Sequence, residues 1–171
     1  MDTSGTKTRY LIGLGSNRYR GGPPRATIAR ALAGLERGGI EIERRSTIRT
    51  TSPLGPGSRN YANAAALVHT DAEPPAMLAL CKTIESALGR RSGRRWGDRI
   101  IDIDILLWSG GCWADSALTI PHPALATRDF VLTPLAEIAP GWRHPVSGRT
   151  IRQLHRHAQR NMPVDRTAKR P

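Results

Sequence analysis

The sequence has few of the residues that define several common classes of protein. It contains only two cysteines, Cys81 and Cys112, and neither stands in a metal-ligand spacing, which argues against a disulfide scaffold and a cysteine zinc site. No apolar run approaches the roughly 20 residues of a membrane-spanning helix, and the first ten residues carry no secretory signal. We therefore expect one cytoplasmic domain over residues 1–171, with Cys81 as a buried thiol and a basic, partly disordered tail at 159–171.

Acidic and aromatic residues are also scarce. Fourteen Asp and Glu stand against 26 Lys and Arg, so the net charge is +12, and 23 of the basic residues are arginine. This excess favours an anionic partner, either nucleic acid or small phosphorylated ligands. One basic cluster lies at 90–99 and a second begins at residue 149, where a solvated chain end is the simpler interpretation. With one Phe, three Tyr and four Trp, and no aromatic RNA-binding strand motif, nucleic acid is not expected as the main partner.

The periodicity of apolar residues predicts a mixed α+β fold. Strand patterns alternate with helical patterns that open at Pro23-Pro24 and Pro74-Pro75 and stop at glycine. The predicted order is strand, helix, strand, strand, helix, strand, at 8–15, 24–37, 40–51, 60–70, 74–88 and 99–107. This order is typical of a ferredoxin-like β-α-β-β-α-β sandwich with an antiparallel sheet. Residues 111–120 predict a further strand or hairpin, and additional C-terminal helices are expected at about 128–138 and 150–158.

The last of these strands carries two aspartates, Asp102 and Asp104, in the segment RRWGDRIIDIDIL at 94–106. Residues i and i+2 of a strand share a face, with Cα atoms roughly 6.5–7 Å apart. A divalent cation relieves the repulsion of two such carboxylates, and magnesium prefers oxygen ligands. Guanidinium groups nearby match the oxygens of a polyphosphate. The segment predicts a nucleoside triphosphate site, although a half-buried strand with salt-bridged aspartates would show the same local pattern.

Four segments together resemble the 6-hydroxymethyl-7,8-dihydropterin pyrophosphokinase family. They are GLGSN at 13–17, the block from Thr51 to Asn63, RWGDRIIDID at 95–104, and the block from Pro121 to Leu132, in the family's order and close to its spacing. The resemblance implies transfer of the β,γ-diphosphate of ATP to the hydroxymethyl oxygen of the pterin, with release of AMP, in folate biosynthesis. It implies small-molecule substrates, with no nucleic acid or membrane partner, and we expect a monomer.

The resemblance also implies roles for individual residues. Asp102 and Asp104 would hold two Mg²⁺ ions, and the catalytic set would further include residues of a mobile lid and its flank: Arg90, Arg95, Trp96 and Arg99. The implied ATP-binding residues are Glu85, Arg91, Arg99, Ile105, His122 and Arg128. The implied pterin-binding residues are Thr51, Ser52, Leu54, Tyr61, Asn63 and Phe130, in which Tyr61 and Phe130 stack on the ring and Asn63 reads its edge.

The sequence departs from the family pattern in its lid and at two prolines, and some roles stay open. The lid is one residue shorter than usual and has Ser92 where a second phosphate-binding arginine is expected, so either Arg91 or Arg94 takes that role. Asp98 and Ser52 replace usual prolines. Glu85, as a single carboxylate on a helix, is also typical of a salt-bridge partner. The short lid motivates an alternative function, a paralogue acting on a related pterin, and the net charge motivates a second, a basic RNA-binding module.

Overall fold

A computed structural model describes residues 7–19, 21–52, 59–89 and 100–161. Its strands are β1 (Thr8–Ser16), β2 (Glu41–Arg45), β3 (Arg49–Thr51), β4 (Tyr61–Thr70), β5 (Asp102–Trp108), β6 (Trp113–Ala114) and β7 (Thr119–Ile120). Its helices are α1 (Pro24–Arg37), α2 (Pro74–Ala87), α3 (Asp129–Ile138) and α4 (Ile151–Arg160). The predicted helices and the predicted hairpin in 111–120 are confirmed within a few residues.

The main sheet has the order β2-β4-β1-β5, and β3 continues along β4 beyond β2. Every pair is antiparallel, which confirms the predicted ferredoxin-like topology. The single strand predicted at 40–51 is wrong, because the chain breaks it between β2 and β3. At Ser46 the side-chain hydroxyl, instead of a backbone carbonyl, accepts the N–H of Ala65 at 2.9 Å, and this interrupts the ladder.

One face of the sheet is covered by α1 and α2. Both helices begin with proline, whose missing N–H costs nothing in the first turn. Their apolar faces pack on alternate residues of β1 to form the first core, which includes Tyr10, Ile12, Leu14, Ile28, Leu35, Met77 and Cys81. Each buried Leu or Ile contributes roughly 1.5–3 kcal/mol. Cys81 is fully buried, as predicted.

The opposite face is covered by α3 and α4. A second core joins them to the residues of β1, β4 and β5 that point this way, and it includes Leu11, Leu67, Leu107, Leu132, Leu135, Ile151 and Leu154. On this face of the sheet the second core covers the first half of β1. The second half of β1 is not part of it. Among the described helices none is long and apolar enough to cross a membrane.

Candidate active site

The second half of β1 forms a floor of two glycines on one face of the sheet. The Leu106 side chain lies over Gly13, with its Cδ1 3.2 Å from the position of an added Cβ, so the open part of this floor is at Gly15. Gly13 and Gly15 alternate with core residues, so both lie on the α3–α4 face of the sheet. Gly15 pairs with Asn63 on β4 and with Asp102 on β5. Since neighbouring strands are about 4.8 Å apart, Asn63 and Asp102 stand about 10 Å from each other across bare backbone. The sequence analysis missed this floor, although glycine at every second position of an apolar strand was a readable signal.

The β4 side of the floor is polar and aromatic. Asn63 is buried, and its Nδ2 donates to Thr51 Oγ1 at 2.6 Å. Tyr61 lies two residues earlier on the same face and pairs in register with Thr51. Ser52 follows directly and is exposed. The structure therefore brings together four of the residues predicted to bind pterin on this side.

The β5 side of the floor carries the two aspartates. Ile101, Ile103 and Ile105 are buried in the first core, so Asp102 and Asp104 face the floor and are half-buried. The predicted alternation along this strand is confirmed. Their shared face satisfies the geometric requirement for a site that uses both carboxylates.

Electrostatics make Asp104 unusual. Burial raises the pKa of its carboxyl above the ordinary value, and the neighbouring Asp102 carboxylate raises that pKa further. His122, Lys82 and Arg128 lower this pKa in part, which places the three side chains within electrostatic range of Asp104. Within the described ranges no group of three or more His, Cys, Asp or Glu could hold a metal ion. Two carboxylates nevertheless fit magnesium, which commonly takes one or two carboxylates together with substrate phosphates and water.

Glu85 holds the backbone between the aspartates. It is only 1% exposed, and its Oε1 accepts the N–H of Ile103 at 2.8 Å. Its Oε2 accepts from Lys82 Nζ at 3.2 Å. Because β5 is the last strand of the sheet, this contact covers an otherwise open edge. The position supports a structural role for Glu85, and its predicted contact with ATP stays a prediction.

The end of β1 is fastened to the start of β5. Ser16 is fully buried, and its hydroxyl donates to the carbonyl of Ile100 at 2.5 Å. Asn17 is also buried. The predicted GLGSN motif thus supplies both the bare floor and the polar contact that keeps the aspartate strand beside it.

The remaining side of the site comes from the segment between β7 and α3. The N–H of His122 donates to the carbonyl of Leu106 at 3.0 Å, and its ring Nδ1 accepts the N–H of Ala124 at 3.1 Å, so the ring is held in a defined orientation. Arg128 is exposed, and its Cζ lies 5.9 Å from the centre of the half-buried Phe130 ring. Ile105 is buried on β5. His122 and Arg128 both lie within electrostatic range of Asp104. The predicted role of His122 at the ATP phosphates and that of Arg128 near the nucleoside stay predictions.

Several predicted residues lie outside the described residues. They are Leu54 on the pterin side, and Arg90, Arg91, Arg94, Arg95, Trp96 and Arg99 in and beside the predicted lid. Their roles stay predictions.

Comparison with known proteins points to one family. Residues 11–140 match the model of 7,8-dihydro-6-hydroxymethylpterin-pyrophosphokinase (HPPK). The 2-amino-4-hydroxy-6-hydroxymethyldihydropteridine pyrophosphokinase of Methylorubrum extorquens is 41% identical over 148 residues, which cover 85% of this chain and 90% of that protein. The enzyme of the same name from a Synechocystis strain is 39% identical over 145 residues, 84% of this chain and 73% of that protein.

A solved structure matches the fold alone. The crystal structure of wild-type Plasmodium falciparum HPPK-DHPS has a TM-score of 0.71 to this chain at 16% sequence identity. The match covers 91% of this chain and 42% of that one, so this chain spans less than half of the Plasmodium protein.

Proposed function

Because this chain belongs to the 7,8-dihydro-6-hydroxymethylpterin-pyrophosphokinase family, we propose that it serves folate biosynthesis by a Mg²⁺-dependent diphosphate transfer. The diphosphate of ATP passes to the hydroxymethyl group of 6-hydroxymethyl-7,8-dihydropterin, and AMP is released. The observation that carries this proposal is the bare glycine floor, with Asn63 on one side and the paired Asp102 and Asp104 on the other.

The floor suits a flat heterocycle. A gap of about 10 Å between Asn63 and Asp102 admits a bicyclic ring lying on the backbone of β1. Asn63 offers an amide to the polar edge of the ring, and its bond to Thr51 fixes the amide's orientation. Tyr61 and Phe130 supply aromatic surface of the kind that flat rings stack on.

The opposite side suits a charged phosphate chain. Asp102 and Asp104 would hold the Mg²⁺ ions, which when bound would neutralise phosphate charge and lower the pKa of the attacking hydroxyl. Arg128 and Lys82 lie close enough to Asp104 to lower the pKa of its carboxyl, and their positive charge would favour a negatively charged phosphate chain there. A proton on Asp104 competes with a cation, so metal affinity should rise as the pH increases through the raised pKa of this carboxyl.

The proposed reaction forms one bond to the pterin and breaks one bond of ATP. The hydroxymethyl oxygen attacks the β-phosphorus of ATP, the bond between that phosphorus and the bridging oxygen to the α-phosphate breaks, and AMP leaves. The proton of the hydroxyl goes to Asp102 or to solvent. The residues of the chain contribute chiefly by aligning the two substrates and by stabilising charge.

The direct test is product analysis. The purified chain is incubated with ATP, Mg²⁺ and 6-hydroxymethyl-7,8-dihydropterin, and nucleotides are separated by chromatography. We expect AMP in a one-to-one ratio with diphosphorylated pterin, loss of turnover in EDTA, and recovery when Mg²⁺ is restored. Formation of ADP, or no pterin-dependent reaction, would overturn the proposal. A faster reaction with a differently substituted pterin would support the paralogue suggested by the short lid.

A further inference from the structure

The first turn of α3 carries a polar cluster that faces α4. Asp129, the first residue of the helix, lies between Arg128 and Phe130 in the sequence. Thr133 Oγ1 donates to Asp129 Oδ2 at 3.3 Å and lies 2.9 Å from His155 Nε2 on α4. His155 Nε2 is also 3.3 Å from Asp129 Oδ1. We call Asp129, Thr133 and His155 the interhelix clamp.

These contacts are mutually consistent when His155 carries a proton on Nε2. Thr133 has one hydroxyl proton, and when it is given to Asp129 the threonine oxygen accepts from His155 Nε2–H. Asp129 Oδ1 is buried and has no hydrogen-bond partner within the described residues, and the same nitrogen of His155 lies 3.3 Å from it. The amide of Gln159 lies 3.0 Å from this nitrogen and can turn its oxygen toward it. His155 is therefore the group that binds α4 to the first turn of α3.

The interhelix clamp is partly shielded from solvent, and α4, which carries His155, is held in place at its start. The side chains of His155 and Asp129 are 18% and 29% exposed, so solvent screens them less than a surface pair. α4 starts with a capping box, in which Thr150 accepts from the N–H of Gln153 and Gln153 accepts from the N–H of Thr150. Ile151 and Leu154 anchor α4 in the second core. His155 therefore projects from a helix whose start is capped and whose apolar side is packed in the second core.

We propose that His155 is a positioning residue for the active site, and this inference rests on the proposed function. By holding Asp129, it fixes the first turn of α3 and with it the two flanking side chains, Arg128 and Phe130, that bind nucleotide and pterin. The family model matches residues 11–140, so this support comes from a part of the chain beyond the matched segment. The apolar contacts of the second core hold α3 and α4 together, while the clamp lies at the end of α3 next to the site.

Steady-state kinetics with both substrates test the role. His155→Ala should raise the KM for ATP and for the pterin about five- to tenfold with kcat changed less than about twofold, since Arg128 and Phe130 bind the ground state and the transition state alike. His155→Gln keeps an N–H donor and should restore most of the affinity. The control is His157→Ala, because His157 is exposed on α4 and contacts Asn161 at 3.1 Å. Unchanged KM values in His155→Ala, or equal effects in His157→Ala, would overturn the proposal.

A second measurement does not depend on activity. Hydrogen exchange followed by mass spectrometry should show faster exchange over 129–135 in His155→Ala, with α1 unchanged. Asp129→Asn should give the same local effect, and the double variant should add little, because both changes break one interaction. If His155→Ala does not fold, Asp129→Asn and His155→Gln carry the test. Unchanged exchange in Asp129→Asn would reject the clamp while AMP release still supports the proposed function. Absence of AMP release by the wild type would reject that function while exchange still tests the clamp.

Discussion

Among single residues, Asp104 is the one whose ionised carboxylate, needed for the proposed function, lowers the stability of the fold. Its carboxyl is buried beside another carboxylate, and its pKa is raised by burial first and by Asp102 second. When the folded pKa of an acid exceeds the unfolded pKa, ionisation costs folding free energy. The cost is absent below the unfolded pKa of about 3.9 and grows as the pH rises through the folded value.

We therefore predict opposite effects of Asp104→Asn on stability and activity. Diphosphate transfer should fall by several orders of magnitude, because one of the two proposed metal ligands is lost. Without Mg²⁺ at pH 7, the free energy of unfolding should rise by about 0.5–2 kcal/mol, the usual gain when a strained functional group is relieved. Urea denaturation from pH 4 to 8 should show the difference between variant and wild type shrinking toward pH 4. A variant that is less stable at pH 7 would contradict the assignment.

At the scale of secondary structure, β5 depends on a helix for its outer edge. Glu85 of α2 accepts the N–H of Ile103 between the two aspartates. Glu85→Ala should leave that N–H buried without a partner and cost about 1–3 kcal/mol. Glu85→Gln keeps an acceptor for that N–H and loses the ion pair with Lys82, whose side chain is 55% exposed, so its cost should be smaller than that of Glu85→Ala. Chemical denaturation of both variants compares them, and equal losses would argue against the Ile103 contact.

The glycine floor of β1 gives a second prediction at this scale. Among the residues that the structure describes, a Cβ added at Gly15 would meet only Asn63 Oδ1, at 3.4 Å, so the fold should accept alanine there. The methyl group would occupy the surface on which the pterin is proposed to lie. Gly15→Ala should therefore raise the pterin KM about tenfold, equivalent to about 1.4 kcal/mol, and leave the melting temperature nearly unchanged. Gly141→Ala is the matched control, since an added Cβ there meets no atom of the described part of the chain within 4 Å. Normal pterin affinity in Gly15→Ala would contradict the floor.

For the whole molecule, a ligand should join parts that are distant in the sequence. Substrate would touch β1, β4, β5 and the segment before α3, so binding should stabilise the folded chain as a unit. With Mg²⁺ and a non-hydrolysable ATP analogue at 100 times the Kd, mass action gives about 2.7 kcal/mol of stabilisation. Differential scanning fluorimetry should show a clear rise in melting temperature with both ligands and little rise in Asp102→Ala. Equal stabilisation of that variant would argue against its role.

Much of this architecture follows from sequence patterns that report local physics. Proline at helix starts, glycine at helix ends and the alternation Ile101-Asp102-Ile103-Asp104-Ile105 were sufficient for the element order and for the face of the aspartates. The break at Ser46 was not predictable, because it depends on a hydroxyl meeting Ala65, far along the chain. The contact of Glu85 with Ile103 and that of His155 with Asp129 are also tertiary. Such contacts carry no periodic signal, so only the folded structure shows them.

The bare strip of β1 has a consequence for inhibition. A compound lying flat on Gly15 would rest on main-chain atoms, which a mutation cannot replace without adding a side chain beneath the proposed position of the natural substrate as well. Drug resistance at this surface would therefore reduce the fitness of the enzyme itself. Groups that extend instead toward side chains would give resistance an easier route, because a side chain can be exchanged without altering this surface.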